Sequence, residues 1–494
     1  MKILGFARSL RFTRRTLASS LATALTSRLA EGEIAPGSAQ QRRTTAFEVR
    51  RQAALRQMQR PLVEHRSNGD EQDFPGFVGA FTKGLPHNSL GEVDLAAYWL
   101  LSDALADPVK LNDAPLLLGC LDASQQRALV NPQAAFAYEL SGADSHSLTM
   151  PPAPKFSSPE AGGEMVELYW QSVLRDTPFE EYESSLLAQE AAAELSTLSD
   201  FRGPREGGFV TPGTLFRGSA PGDLLGPYLS QFLLKGTPFG AQFIEQRLRC
   251  PRPNVDFGIE FDEWLDLQRG CEPLRRLEFD SPRRYIRDGR NLAQWVHLDT
   301  PVQAYLNAAL ILSTHPDAAD EPTGGGMGAP FSTTHPYHST ASQEGFVTFG
   351  VPYILELLCS VAICALKAVW FQKWGVHRRL RPEAFGGRLQ WVMDAGADYP
   401  VPKELISSQA VKRSKERTGS WLLPLAYPEG SPLHPSYGAG HAAVAGACVT
   451  ALKALFDESF PIPNPVEPST DGTNLIPYVG ADAGRLTVGE NSTS

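Results

Sequence analysis

Basic residues gather at two places in this chain, and their types and spacing suit the capture of a tetrahedral oxyanion. The first is His434-Pro-Ser-Tyr-Gly-Ala-Gly-His441, which runs directly into the apolar segment Ala442 to Phe456. Gly438, Ala439 and Gly440 have almost no side chain, so an anion can reach the backbone there. The N–H groups of a helix's first turn have no partner within the helix and carry the positive end of its dipole. His441 is placed to touch a bound anion, with His434 close behind it. The competing reading is a tight turn before a buried helix, with incidental histidines, because glycine-rich turns are common.

The second place is Lys373-Trp-Gly-Val-His-Arg-Arg-Leu-Arg381-Pro-Glu-Ala-Phe-Gly-Gly387, with five basic groups in nine residues if His377 is counted. It follows the apolar run Tyr353 to Phe371 and so is more than a solvated stretch of charge. Positions eight apart on a helix diverge by roughly 80°. Lys373 and Arg381 therefore share a target best if the helix ends between them. Pro382 supplies the reason, since it restricts Arg381 to extended conformations. An ammonium at a helix end and a guanidinium fork from the following loop can then converge on one oxyanion.

Together, the Lys373 to Gly387 motif and the His434 to His441 motif resemble the vanadium-dependent haloperoxidases, specifically the bromoperoxidases of algae and cyanobacteria. That family shares a superfamily with the type 2 phosphatidic acid phosphatases. The resemblance runs from about Arg42 almost to Val488. It extends to Asn68-Gly-Asp-Glu71, Phe81-Thr-Lys-Gly-Leu-Pro-His-Asn88, Gly226-Pro-Tyr-Leu-Ser-Gln-Phe232, Arg284-Tyr-Ile-Arg-Asp-Gly-Arg290 and Gly345-Phe-Val-Thr-Phe-Gly350. It implies a mainly α, helical-bundle fold with long loops. It also implies vanadate as cofactor, held by Lys373, Arg381, Ala439 and Gly440, with His441, His434 and Lys373 as catalytic groups. Hydrogen peroxide, a halide (bromide by resemblance) and an organic acceptor are the implied reactants, and a homo-oligomer the implied assembly. A phosphatase-type or non-catalytic oxyanion-binding relative using the same cradle is the alternative.

The chain departs from the family pattern twice. Ala439 stands where the family usually has a serine; the lost hydroxyl is expected to cost about 1–3 kcal/mol if its partner is left bare. Further on, the family's last motif supplies a second arginine and the histidine that bonds vanadium. Gly484-Arg-Leu-Thr-Val-Gly-Glu490 still resembles the family, but no Arg-x5-His follows. The expectation is that the metal-ligating histidine and the last helices are missing, and that these residues alone turn over weakly or not at all.

The elements that must position these groups are helical. A periodic pattern predicts helices over Thr44–Met58, Leu95–Leu105, Ala123–Leu140, Gly163–Leu174, Tyr182–Leu198, Gly226–Leu234 and Leu292–Leu312. The last of these buries Leu298, Val302, Tyr305, Leu306, Ala309 and Leu312. A helix over Phe346–Lys373 delivers Lys373. Residues 314–342 form a long loop with His315, His335 and His338, read as loop residues rather than a metal site, and in the resembled family this loop lines the approach to the active site. Asp457 to Tyr478 reads as loop.

Residues 1–43 form a basic segment that suits a plastid or other organellar transit peptide, with secretion left open; residues 1–30 contain no acid. Residues 44–313 are then an N-terminal helical region and 314–494 the catalytic region. The formal charge of −10 argues against a general nucleic-acid binder. The longest uncharged apolar run in the Tyr353 helix, Leu357 to Leu366, is too short for a bilayer, so no transmembrane segment is expected. Cys359, Cys364 and Cys448 lie in apolar helical runs and read as buried small hydrophobes; the six cysteines show no metal-ligand spacing.

Overall fold

A computed structural model describes residues 37–140, 142–220, 222–315 and 325–491. The basic segment expected at residues 1–43 lies outside the described residues up to position 36. From Ser38 onward the chain is already capping a helix, because the Ser38 side chain accepts from Gln41 N.

The fold is mainly α. Its longer helices are α1 (Ala39–Met58), α2 (Leu95–Leu105), α3 (Pro159–Leu174), α4 (Leu186–Thr197), α5 (Gly289–Leu298), α6 (Gln303–Ser313), α7 (Val351–Phe371), α8 (Pro382–Ala395), α9 (Gln409–Thr418) and α10 (Gly440–Leu455). Strand structure is confined to short antiparallel ribbons such as Leu248–Pro251 with Phe279–Arg284.

Two apolar cores hold the site between them. In one, α3 packs with α4, α8 and α9 through residues such as Val166, Trp170, Ala191, Phe385 and Val411. In the other, Ile354, Leu358 and Ala362 of α7 recur every fourth residue and meet Val444, Cys448 and Leu452 of α10, with Ala308 and Leu312 of α6 beside them. Helices α7 and α10 run antiparallel. The Cys448 thiol donates to the Leu358 carbonyl at 3.7 Å, while a Cβ on Gly440 would lie 3.3 Å from Trp370. The C-terminal end of α7 and the N-terminal end of α10 therefore lie together.

Several expected elements take different forms. The helix predicted over Leu292–Leu312 is two helices, α5 and α6, separated at Asp299-Thr-Pro301. Pro301 lacks an N–H and disfavours a helical residue before it. Of the predicted buried face, Ala309 and Leu312 are buried, whereas Leu298 is 70% exposed. The Ala123–Leu140 helix is replaced by two 3₁₀ turns, 123–125 and 132–136, with Asn131 in the left-handed region before Pro132. The Tyr182 helix begins only at Leu186, where Ser185 caps it, and the Gly226 helix shrinks to Gln231–Leu234. Within Asp457–Tyr478, Val466–Pro468 pairs with Leu475–Pro477.

Cysteine usage also differs from expectation. Cys120 and Cys271 form a disulfide across 151 residues, a separation that leaves no local signal. Cys448 is buried as expected, but Cys359 is exposed and Cys364 half-buried. Among the described residues, Val351–His377 is the one helical stretch long and apolar enough to cross a membrane by length and composition alone. Glu356 and Lys367 both lie within that stretch. Lys367 is paired with Glu139 at 2.8 Å, and the Ile354–Leu358–Ala362 face of the stretch is packed on α10.

Candidate functional site

Lys373 leaves α7 on a π-helical turn, Gln372–His377, and Arg378 follows in the left-handed region at φ 36°. This ends the helix between Lys373 and Arg381, as the sequence requires. Arg381 is extended (φ −81°, ψ 150°) and caps α8, whose first residue is Pro382. A π-turn inserts an extra residue into the helical ladder, often at functional positions. Here it turns the Lys373 side chain toward the His434 loop.

The five basic groups of this stretch separate into two kinds. Arg378 makes a two-pronged ion pair with Glu71, both contacts at 2.7 Å, and Arg379 pairs with Glu164 at 2.7 Å. His377 is buried edge-on to Tyr437, and burial pushes its pKa down to about 4. Lys373 and Arg381 alone of the five point at neutral acceptors. Lys373 is 1% exposed and its Nζ donates to the Pro435 carbonyl at 2.9 Å. Arg381 Nε donates to the His434 carbonyl at 2.7 Å, and one terminal nitrogen donates to His434 Nδ1 at 2.8 Å.

These contacts set the electrostatics. Burial, with Arg381 adding repulsion, holds the Lys373 amine down at about 7. Burial lowers Arg381 to about 10 against the pull of Glu383. His434 falls to about 2, through burial first and then Arg381 and Lys373, so its ring is a neutral acceptor. Two cations are thus desolvated without a carboxylate among their hydrogen-bond partners, which favours an anion bearing several acceptor oxygens.

Helix α10 adds donors. Ala439 is its extended N-cap and no side chain caps it, so the Gly440 and His441 N–H groups carry the free positive end. His441 lies at the more exposed rim. Its Nε2 donates to Asp299, 3.0 and 3.2 Å from the two carboxylate oxygens, and this hydrogen bond raises its pKa. Asp299 sits in the break between α5 and α6. The sequence reading missed it because it assumed a continuous helix; Pro301, two residues on, was the available signal.

Lys373, Arg381, His434, Ala439, Gly440 and His441 all line one cavity of about 1130 Å³. Leu168 and Ser172 of α3, Val296 of α5 and Trp370 of α7 line it too, which places it between the two cores. Beneath Arg381, the fully buried Glu383 accepts from Lys83 and from Ser431 N (2.8 Å) and Oγ (2.7 Å). This network, also unseen in the sequence, ties the start of α8 to the loop that leads to His434.

The expected contribution of residues 314–342 is not seen, because none of the described ones lines the cavity. His335 is instead a core histidine, 5% exposed, stacked on Phe331 and bonded to the Phe349 carbonyl at 3.0 Å. Among the described residues no group of three or more His, Cys, Asp or Glu is arranged for a metal ion.

No family model matches the chain. It is similar to a vanadium-dependent bromoperoxidase of Corallina pilulifera, 32% identical over 88% of this chain and 86% of the relative. One from Ascophyllum nodosum is 34% identical over 88% of this chain and 79% of the relative. Among solved structures, a homohexameric vanadate-dependent bromoperoxidase of Ascophyllum nodosum superposes with a TM-score of 0.85 at 29% identity, covering 94% of this chain and 80% of that one.

Proposed function

The chain belongs to the vanadium-dependent bromoperoxidase family, whose chemistry is halide oxidation by hydrogen peroxide, and from that premise we propose that Lys373, Arg381, His434, Ala439, Gly440 and His441 form its vanadate site, with bromide as the preferred halide. The observation that carries this is the pair of buried cations, Lys373 and Arg381, that donate only to carbonyls and an imidazole while facing the uncapped end of α10. When bound, vanadate supplies activation of hydrogen peroxide toward attack by halide.

The residues have separate parts in this reading. The Arg381 fork and the Gly440 N–H bind the oxyanion. Lys373, held near neutrality by burial, regains its proton when an anion arrives, since a nearby negative charge favours the ammonium. It then draws electron density from the oxygen it touches. Asp299 accepts from His441 Nε2, which leaves Nδ1 as the nitrogen that takes or returns a proton. His434 stays neutral and keeps Arg381 aimed.

The same groups would hold phosphate, and family membership favours the peroxidase over the phosphatase reading. Among the described residues three imidazoles line the cavity, and each already engages a side chain: His297 with Glu429, His434 with Arg381, His441 with Asp299. The carboxylate contacts of His297 and His441 use Nε2 alone and leave Nδ1 open; slow turnover by these residues alone is part of the proposal. The hexameric neighbour supports a homo-oligomer.

The test is peroxide-dependent bromide oxidation by the full chain, with and without orthovanadate, alongside vanadate binding followed by vanadium NMR with phosphate as competitor. Binding that phosphate displaces, with bromide oxidation requiring vanadate, is expected. Hydrolysis of a phosphate monoester without any bromide oxidation would overturn the peroxidase reading in favour of the phosphatase one.

A further inference from the structure

The two halves of the oxyanion cradle share one support. Residues 127–130 belong to no helix or strand, yet both sides of the Val130 peptide are bonded. The Val130 N–H donates to the carbonyl of Leu433, the residue before His434, at 2.9 Å. The Val130 carbonyl accepts from the Trp374 indole at 3.2 Å and from the Trp370 indole at 3.3 Å, and these two residues flank Lys373. Arg127 Nη1 donates to the Glu429 carbonyl at 3.0 Å, on the loop that leads to His434. One short segment therefore steadies the turn that carries Lys373 and the loop that carries His434.

The other end of this segment is tied covalently. The Cys120–Cys271 disulfide joins it to the turn after the helix Phe261–Gln268. Hydrogen bonds surround the bridge: Cys120 N donates to Gln126 Oε1 at 2.8 Å, Glu272 N to the Gln125 carbonyl at 2.7 Å, and Arg127 N to the Gly270 carbonyl at 2.8 Å. The helix before the turn is seated on the site's own scaffold, because the Trp264 indole donates to the Glu383 carbonyl at 2.8 Å. Cys120 and Cys271 are both half-buried, within reach of a small thiol.

We propose that the Cys120–Cys271 disulfide is a positioning group for the oxyanion site, acting through residues 125–130, and that its redox state sets how tightly the site holds an anion. The proposal rests on the oxyanion-site reading. With the bridge closed, the segment has one arrangement and the two halves of the cradle keep their spacing. With it open, only hydrogen bonds hold the segment, and the Lys373 turn and the His434 loop are free to separate. A dithiol cleaves the S–S bond to two thiols and is itself oxidised to a disulfide. Hydrogen peroxide reverses the step: the O–O bond breaks, the two thiols give up two protons and two electrons, the S–S bond forms and two waters leave. The oxidant that the family consumes thus also keeps the site in its binding form.

The experiment titrates inorganic phosphate into the full chain by calorimetry in three states: oxidised, reduced with dithiothreitol that is then removed under argon, and reduced then treated with hydrogen peroxide. Alkylation and mass measurement count the thiols, and urea unfolding confirms that each state is folded. Reduction is expected to weaken phosphate roughly tenfold, the low end for groups that orient a site from behind, and peroxide to restore it. A Cys120→Ala, Cys271→Ala double variant should bind as weakly as the reduced chain and ignore dithiothreitol. Equal affinity in the folded oxidised and reduced states, with or without a change in unfolding midpoint, would overturn the proposal. So would a double variant that still responds to dithiothreitol, since the effect would then belong to another cysteine. Failure of the oxidised chain to bind phosphate at all would instead remove the oxyanion site, and the proposal with it.

Discussion

Buried arginines and lysines occur in two settings in this protein, and the contrast separates structural charge from ligand-binding charge. Around Asp256, the Arg290 fork donates to Asp176 and Asp256, Arg417 donates to Asp256 at 2.8 Å, and Arg175 lies 3.5 Å from it. Cations and carboxylates there satisfy one another, and the cluster locks α5 and α9 to the loops between them. At the cavity, Lys373 and Arg381 are equally desolvated but find only carbonyls and an imidazole. The cost of burying the first set is met within the protein; the second set is completed by an anion from outside. Sequence proximity does not predict the difference, because Arg378 and Arg379, close neighbours of Arg381, belong to the balanced kind.

The sharpest way to break this comparison is to remove one group from each setting. Asp256→Ala leaves three arginines without their shared carboxylate and should destabilise the chain by about 3–5 kcal/mol. Lys373→Met removes a desolvated cation that has no carboxylate partner and should leave the chain no less stable at neutral pH while abolishing oxyanion binding. Urea unfolding of both variants decides it; equal losses would mean that Lys373 is structural.

Next in size is Arg381→Lys. Charge is kept, but a single ammonium cannot replace the fork, and vanadate affinity should fall by about 1.5–3 kcal/mol, the range for hydrogen bonds to charged groups. Calorimetric titration that shows no change would exclude a two-pronged role for Arg381.

The pH dependence sharpens the contrast further. Burial, with Arg381 beside it, holds Lys373 down to about 7 in the folded chain against 10.5 for an exposed lysine, so between those values the unfolded state holds the extra proton. Its contribution therefore opposes folding most fully below about pH 7 and lessens as pH rises toward 10.5. Stability of the parent chain relative to Lys373→Met should climb across that window. Sulfate keeps its charge throughout, and its binding should weaken above about pH 7 as the ammonium is lost. Flat sulfate affinity from neutral to alkaline pH would detach Lys373 from the site.

The smallest effect is expected from Ala439→Ser. A hydroxyl at the uncapped start of α10 can serve the helix or a bound anion, and should strengthen vanadate binding or helix stability by about 0.5–1.5 kcal/mol. Measuring both tells which partner the hydroxyl chooses.

Much of the cradle is legible in the sequence because its determinants are local. Pro382 dictates an extended Arg381, the small residues Gly438 to Gly440 open a helix start, and the apolar repeat of α7 carries Lys373 to its end. Each acts through backbone preference or side-chain period within a few residues. What tertiary structure alone decided is charge balance and enclosure. Glu71 neutralises Arg378 across 307 residues, Asp299 reaches His441 across 142, and Cys120 finds Cys271 across 151. Phe179 and Tyr228 share one cavity with Lys373 and Arg381 only because segments far apart in the chain pack around it. Ionisation and burial depend on neighbours in space, and for these residues the neighbours lie more than a hundred positions away along the chain.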